Sequence, residues 1–282
     1  MTHVCPMFPA NNIWNSPVDR QPVDARSQDY IRTIGPDAPL HPDFGWAGGI
    51  AYVVTEGTDP PVNLGWGHGA PNSDPGPYRI PENAPIETPG DGHVLVLNTR
   101  ECLLYELFGA VHRSPGDWTV DSSAIFDLRS NRLRPDGWTS ADGAGLPMLP
   151  GLVRYDEVAS GEVRHAVRFT CRQTRRAYVW PARHFASYSN DPNLPPMGQR
   201  FRLRASFDIR GFSSQARVIL AALQKYGMML SDNGGNWYIT GAPDSRWPGG
   251  LTSEFRQVHG SDFEAVDVSS LMIDAGTGEV RQ

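Results

Sequence analysis

Apolar residues in this chain come in short runs, and Gly and Pro repeatedly cut them off. With 29 Gly and 25 Pro among 282 residues, few stretches free of turn residues are long enough for a helix. His93–Asn98, Leu103–Phe108, Ser123–Leu128, Val163–Thr170, Gln199–Asp208, Gly227–Leu230 and Phe263–Val268 have the length and content of strands. Ile50–Val54, Arg176–Trp180 and Asn236–Ile239 read the same way. Only Ser213–Tyr226 carries strong helical spacing. Ala216, Ile219, Leu220 and Leu223 recur on one face, Ser213 caps the start and Gly227 lies past the end. A short helix also fits Ser27–Ile34, with Ser27 as cap and Gly35 beyond it. Many strands, one main helix (213–226) and no β-α-β alternation predict an all-β fold. The expected form is an antiparallel β-sandwich of jelly-roll or concanavalin-like type. Residues 1–282 read as one domain, with an irregular, Pro-broken arm over 1–48 wrapping a sandwich over 49–282.

Composition narrows the function classes. Hydrophobic residues at 39% and eight Trp supply a real core. No apolar run approaches the roughly eighteen residues of a membrane span. The net charge is −6 and no Lys/Arg cluster occurs, which excludes nucleic acid as an expected partner. Lys225 is the single lysine, so Schiff-base chemistry has one poorly placed candidate. Cys5, Cys102 and Cys171 form no C-x-x-C pair, which gives no support for a thiolate zinc site. One disulfide is allowed. Cys5–Cys102 is preferred because it staples the arm to a strand, and three free thiols are the alternative. No signal peptide follows Met1. The Trp- and Gly-rich, Lys-poor character favours a secreted protein whose leader has been removed, with a cytosolic protein as the alternative. A monomer is expected.

Candidate chemistry begins in the 93–108 hairpin. A four-residue turn, Thr99–Cys102, opposes Asn98 to Leu103 and Leu95 to Glu106. His93, Leu95, Leu97, Leu104, Glu106 and Phe108 then share one face, and both faces are largely apolar. A carboxylate in mid-strand needs a partner or a cleft. Glu106 is therefore either a catalytic acid, base or nucleophile, or half of a structural pair with His93. Asp127 offers a second strand carboxylate, as glycoside hydrolysis requires, or it caps the following turn. His165 reads as a core histidine, or as a proton shuttle if its face is a cleft. Arg168, pointing the other way, would pair with acids or grip an anionic substrate. Trp138 and Asp142 lie in a loop of small residues that lets a substrate approach, and Asp232 and Trp237 flank a similar stretch. For that second stretch a plain β-turn is the simpler reading. There is no G-x-S-x-G, P-loop, H-E-x-x-H or G-x-G-x-x-G motif. A copper or zinc site built from His93, His165 and His184 is a minority alternative. No cofactor is expected.

Cys5-Pro-Met-Phe-Pro-Ala-Asn-Asn-Ile-Trp-Asn15, Leu133–Asp142, Gly151–Glu157, Arg164–Arg168 and Tyr226–Asp232 together resemble a family of predicted secreted bacterial proteins. The stretch from Gly151-Leu-Val-Arg to Arg164-His-Ala is more faintly similar to jelly-roll proteins linked with polysaccharide processing. The resemblance implies secretion and a β-sandwich, and it assigns no residue a role. The expected function is a secreted carbohydrate-active enzyme, a glycoside hydrolase with Glu106 and Asp127 as its carboxylates and His93 and His165 tuning them. Trp138, Asp142, Asp232, Trp237 and Arg168 would bind the polysaccharide. The alternatives are a lyase using His165, a Tyr and Arg, a non-catalytic glycan binder, and a metal-dependent enzyme.

Overall fold

A computed structural model of the chain describes residues 5–46, 48–67 and 70–281. In chain order its strands begin with β1 (His41–Asp43), β2 (Tyr52–Thr55), β3 (Pro61–Val62), β4 (Gly65–Trp66) and β5 (Tyr78–Arg79). They continue with β6 (Val94–Asn98), β7 (Leu103–Phe108), β8 (Val111–Ser114), β9 (Asp117–Val120) and β10 (Ser122–Asp127). The last five are β11 (Val167–Cys171), β12 (Arg200–Leu203), β13 (Met228–Asn233), β14 (Tyr238–Thr240) and β15 (Phe263–Val266). The α-helices are α1 (Ser27–Ile34), α2 (Tyr155–Ser160), α3 (Ser214–Lys225) and α4 (Leu251–Phe255).

Two sheets dominate. One runs β1-β14-β11-β13-β12-β15 and the other β10-β7-β6-β2. The chain is therefore mostly β, as the short apolar runs predict. Strand direction is where it departs from the expectation: β11–β13, β1–β14 and β2–β6 pair in parallel, so both sheets are mixed rather than antiparallel. Parallel neighbours need long connections, and α3, with the 172–227 stretch around it, lies between β11 and β13. α3 is the longest of the described helices, as expected. It spans 214–225 with Ser213 Oγ accepting from the Ala216 N–H, while α1 covers the predicted 27–34. The Ser27 hydroxyl does not cap α1. It accepts from the Ala265 N–H and ties the helix to β15. The arm is less irregular than its prolines suggest, since it adds β1 to the edge of the large sheet.

The β6–β7 register is the one read from the sequence, with Asn98 opposite Leu103 and Leu95 opposite Glu106. Both faces of this hairpin are covered. Leu95, Leu97 and Leu104 join the main core. Val94, Val96, Tyr105 and Leu107 pack with Trp118, Val120 and Tyr78, which come from the small sheets β4-β9-β8 and β3-β5. The Cys5–Cys102 disulfide fixes the arm to the start of β7, and Cys171 is a free, buried thiol.

The two large sheets do not simply meet face to face. Residues 140–153 run between them and are buried almost throughout. A buried loop must find partners for its backbone polar groups, and residues of both sheets provide them. Ser122 Oγ donates to the Ser140 carbonyl at 2.8 Å. Glu106 accepts from the Met148 and Leu149 N–H groups at 2.9 Å, and the backbone of Ala144 donates to the Ser231 carbonyl. Pro147 and Pro150 have no N–H to satisfy.

Candidate functional site

Between the sheets, Arg168 of β11 extends Nε and Nη2 to the two carboxyl oxygens of Asp142, both at 2.7 Å, and its Nη1 to Thr240 Oγ1 at 2.6 Å. Two parallel bonds fix the guanidinium and the carboxylate in one plane. Burial disfavours the Arg168 charge, but Asp142, Asp232 and Asp43 more than offset it, so its pKa is raised. Asp142 has no exposed surface. Burial, opposed by Arg168 and reinforced by Asp232, pushes its carboxyl up to about 7. Asp232 is the second-last residue of β13 and is only partly buried. It accepts from the Gly143 N–H at 2.9 Å and from its neighbour Asn233 at 2.7 Å.

Asp232 and Asp142 line a cavity of about 360 Å³, together with Asp121, Ser122, Phe108 and Gly143. Gly143 is required there, because a Cβ would stand 2.5 Å from Asp232 Oδ1. His93 approaches from the four-stranded sheet. Its Nδ1 meets Glu87 Oε2 at 2.5 Å, its Nε2 faces the Ala141 carbonyl at 3.3 Å, and its ring packs on Phe108. Burial works against the His93 charge, yet the hydrogen bond and charge of Glu87 prevail and its pKa is raised. The reciprocal pull holds Glu87 below the usual carboxylate range despite burial.

Asp142, Asp232 and Arg168 are thus brought together, with His93 beside them. Other residues singled out in the sequence fall elsewhere. Glu106 has no exposed surface and its carboxyl is occupied by the Met148 and Leu149 N–H groups. Burial pushes it up to about 7 against those two donors. It does not reach the cavity, and its partner is the buried loop rather than His93. Asp127 does not join it either. Glu106 pairs with Ala124 across the sheet, so odd-numbered Asp127 points to the opposite face. There it binds Arg129 and the turn that follows, which is the capping role. His165 is buried, with Nδ1 at 2.8 Å from the Ala166 carbonyl and Nε2 at 3.2 Å from Glu157. Both ring nitrogens are occupied. Burial opposes the Glu157 charge, but His165 and Arg154 hold that carboxyl down at about 2. Trp237 is fully enclosed, stacked on Phe169 and Phe263 with Nε1 donating to the Gly35 carbonyl, so it offers no plate to a sugar. Trp138 is half-buried under Arg134, in a separate groove of about 500 Å³ that Asp127 also lines. Among the described residues no three His, Cys, Asp or Glu side chains converge as metal ligands, so His93, His165 and His184 do not form one site.

Asp121 and Glu87 are site residues that the sequence reading missed. Asp121 sits immediately before β10 and Glu87 in a Pro-rich loop, and neither lies in an apolar run that would draw attention to it. Comparison with known proteins finds no matching family model, no similar curated protein and no similar solved structure.

Proposed function

We propose that this chain is a carbohydrate-active hydrolase whose carboxylate pair is Asp232 and Asp121. The observation that carries the reading is that both acids line one cavity, beside the buried Asp142–Arg168 pair. Glycoside hydrolysis needs two carboxyl groups in different states, one to protonate the leaving oxygen and one to attack or to activate water. Asp232, near the end of β13 and beside the Asp142–Arg168 pair, is assigned the acid. Asp121 is the second carboxylate. Elimination is disfavoured on geometric grounds. The cavity of about 330 Å³ that holds His165, Tyr226, Arg154 and Arg164 has the residue types of a lyase, but its histidine has no free nitrogen.

The test is release of reducing ends from a broad polysaccharide panel by wild type, Asp232→Asn and Asp121→Asn. Each variant should lose about 10²- to 10⁴-fold in turnover while its circular dichroism is unchanged. Full activity in Asp232→Asn, or no product from any glycan of the panel, would remove the basis for this reading.

A further inference from the structure

Beside the cavity the surface carries an aromatic patch that the proposed chemistry does not use. Tyr178, His184, Phe185 and Tyr188 come together along an irregular stretch of chain. The rings of His184 and Phe185 are parallel within 2°, with centroids 5.4 Å apart, and Tyr178 lies 6.5 Å from Phe185 at 18°. Tyr188 stands edge-on to Phe185 at 6.3 Å. The Arg176 guanidinium lies over Phe185 at 5.5 Å and over Tyr188 at 5.9 Å. Tyr188 is 81% exposed. Tyr178, His184 and Phe185 are half-buried beside it, and Tyr178 also packs against the main core. An exposed ring on such a base, at the edge of a cavity, marks a place where something binds.

The patch is anchored to the cavity wall. His184 Nδ1 meets the Gly143 carbonyl at 2.9 Å. Asn233 Nδ2 donates to Ser187 Oγ at 2.8 Å and to the Ala186 carbonyl at 3.3 Å. Gly143 lines the cavity and Asn233 follows Asp232, so the patch continues the surface that presents the acid. Tyr178 Oη donates to Asp136 at 3.0 Å and braces the far side. Ser189, Asn190 and Asp191 are exposed next to Tyr188. Flat apolar faces bordered by small hydrogen-bonding groups match a pyranose ring, which has a C–H face and a rim of hydroxyls.

We propose that Phe185 and Tyr188, braced by Arg176, form a glycan-binding platform that holds a polysaccharide alongside the acidic cavity, so that the substrate is a polymer rather than a single sugar. This rests on the glycan reading of the cavity and adds the length of the substrate to it.

The test uses the full chain with Phe185→Ala, Tyr188→Ala, the double variant and Tyr188→Phe. Retention on insoluble cellulose, chitin, xylan and peptidoglycan is measured separately from hydrolysis of polymers and of short oligosaccharides. Each alanine should weaken retention on the preferred polymer by about 3- to 10-fold and raise its KM by the same factor. Turnover of short oligosaccharides should not change, and Tyr188→Phe should retain wild-type binding because stacking needs the ring and not the hydroxyl. Equal retention by wild type and the folded double variant would overturn the platform, as would a Tyr188→Phe loss as large as that of alanine. Neither result touches the hydrolase reading, which stands or falls with Asp232→Asn. Platform-dependent retention without any reducing ends would uphold glycan binding at Phe185 and Tyr188 and overturn both hydrolysis and the polymer as its substrate.

Discussion

Replacing Glu106 by glutamine separates a structural carboxyl from a catalytic one through the pH dependence of stability. In the folded chain Glu106 is fully enclosed and its pKa stands at about 7 against an ordinary 4.5. An acid whose folded pKa is raised keeps its proton longer in the native state than in the unfolded one. Below pH 4.5 both states are protonated and there is no penalty. Between 4.5 and 7 unfolding releases a proton, so stability falls as pH rises, and above 7 the loss is complete. The total is about 3 kcal/mol, of which about 2.5 falls between pH 5 and pH 8. In Glu106→Gln the new amide would keep an oxygen for the Met148 and Leu149 N–H groups but bring an NH₂ with no evident acceptor, a constant cost of about 1–3 kcal/mol. The variant should therefore be less stable than wild type at pH 5 and equal or more stable at pH 8. Asp142 titrates in both proteins and largely cancels. Chemical denaturation at both pH values, with the disulfide intact, reads the difference directly. Parallel stability profiles for the two proteins would show that Glu106 does not carry this burial penalty, and the assignment would fail.

Two further outcomes follow from the same interior. Arg168→Ala leaves Asp142 buried without its guanidinium and should cost about 3–5 kcal/mol in denaturant unfolding; a loss under about 1 kcal/mol would mean the pair is not the inter-sheet anchor described above. Cys5→Ser/Cys102→Ser opens a loop closed over a sequence separation of 97 residues and should lower stability by about 2–5 kcal/mol. An unchanged melting temperature would show that the arm is held by its other contacts alone.

How much of this was legible in the sequence depends on the range of the forces involved. The β6–β7 register could be read because a four-residue turn and two apolar strands leave one sensible pairing. Helix α3 carries its own periodicity, its Ser213 cap and its Gly227 stop. Strand direction left no such mark: nothing in Val167–Cys171 states that its neighbour Met228–Asn233 runs parallel. The β8–β9 hairpin was missed because Val111-His-Arg-Ser and Asp117-Trp-Thr-Val are mostly polar and have little apolar alternation. Trp237 was misjudged because its Gly- and Asn-rich neighbours look like surface, while its packing partners Phe169 and Phe263 are remote in sequence. Among the site residues, Asp142, Asp232 and Arg168 were each flagged by sequence. That they meet was not, because their contact depends on a buried loop whose path no local pattern reveals. Glu106 was noticed for the right reason, an acid in an apolar strand, but the partner it needed was a pair of backbone N–H groups some forty residues away.

The strand order of the large sheet also sets the sequence in which the molecule can be assembled. The four-stranded sheet draws on residues 52–127 and can form while the rest of the chain is still being made. The six-stranded sheet cannot. Its edge strand β1 waits for β14, Val23 waits for Val266, and the Ile13 N–H waits for the Gly278 carbonyl. Contacts so distant along the chain slow folding and leave apolar segments exposed in the meantime. Over that interval residues 5–43 are synthesised but have no sheet to join. Cys5 and Cys102 both emerge before Cys171, so an oxidant acting on the growing chain meets the native pair first. In a chain oxidised during synthesis, that order would favour the Cys5–Cys102 pair over a cross-link to Cys171.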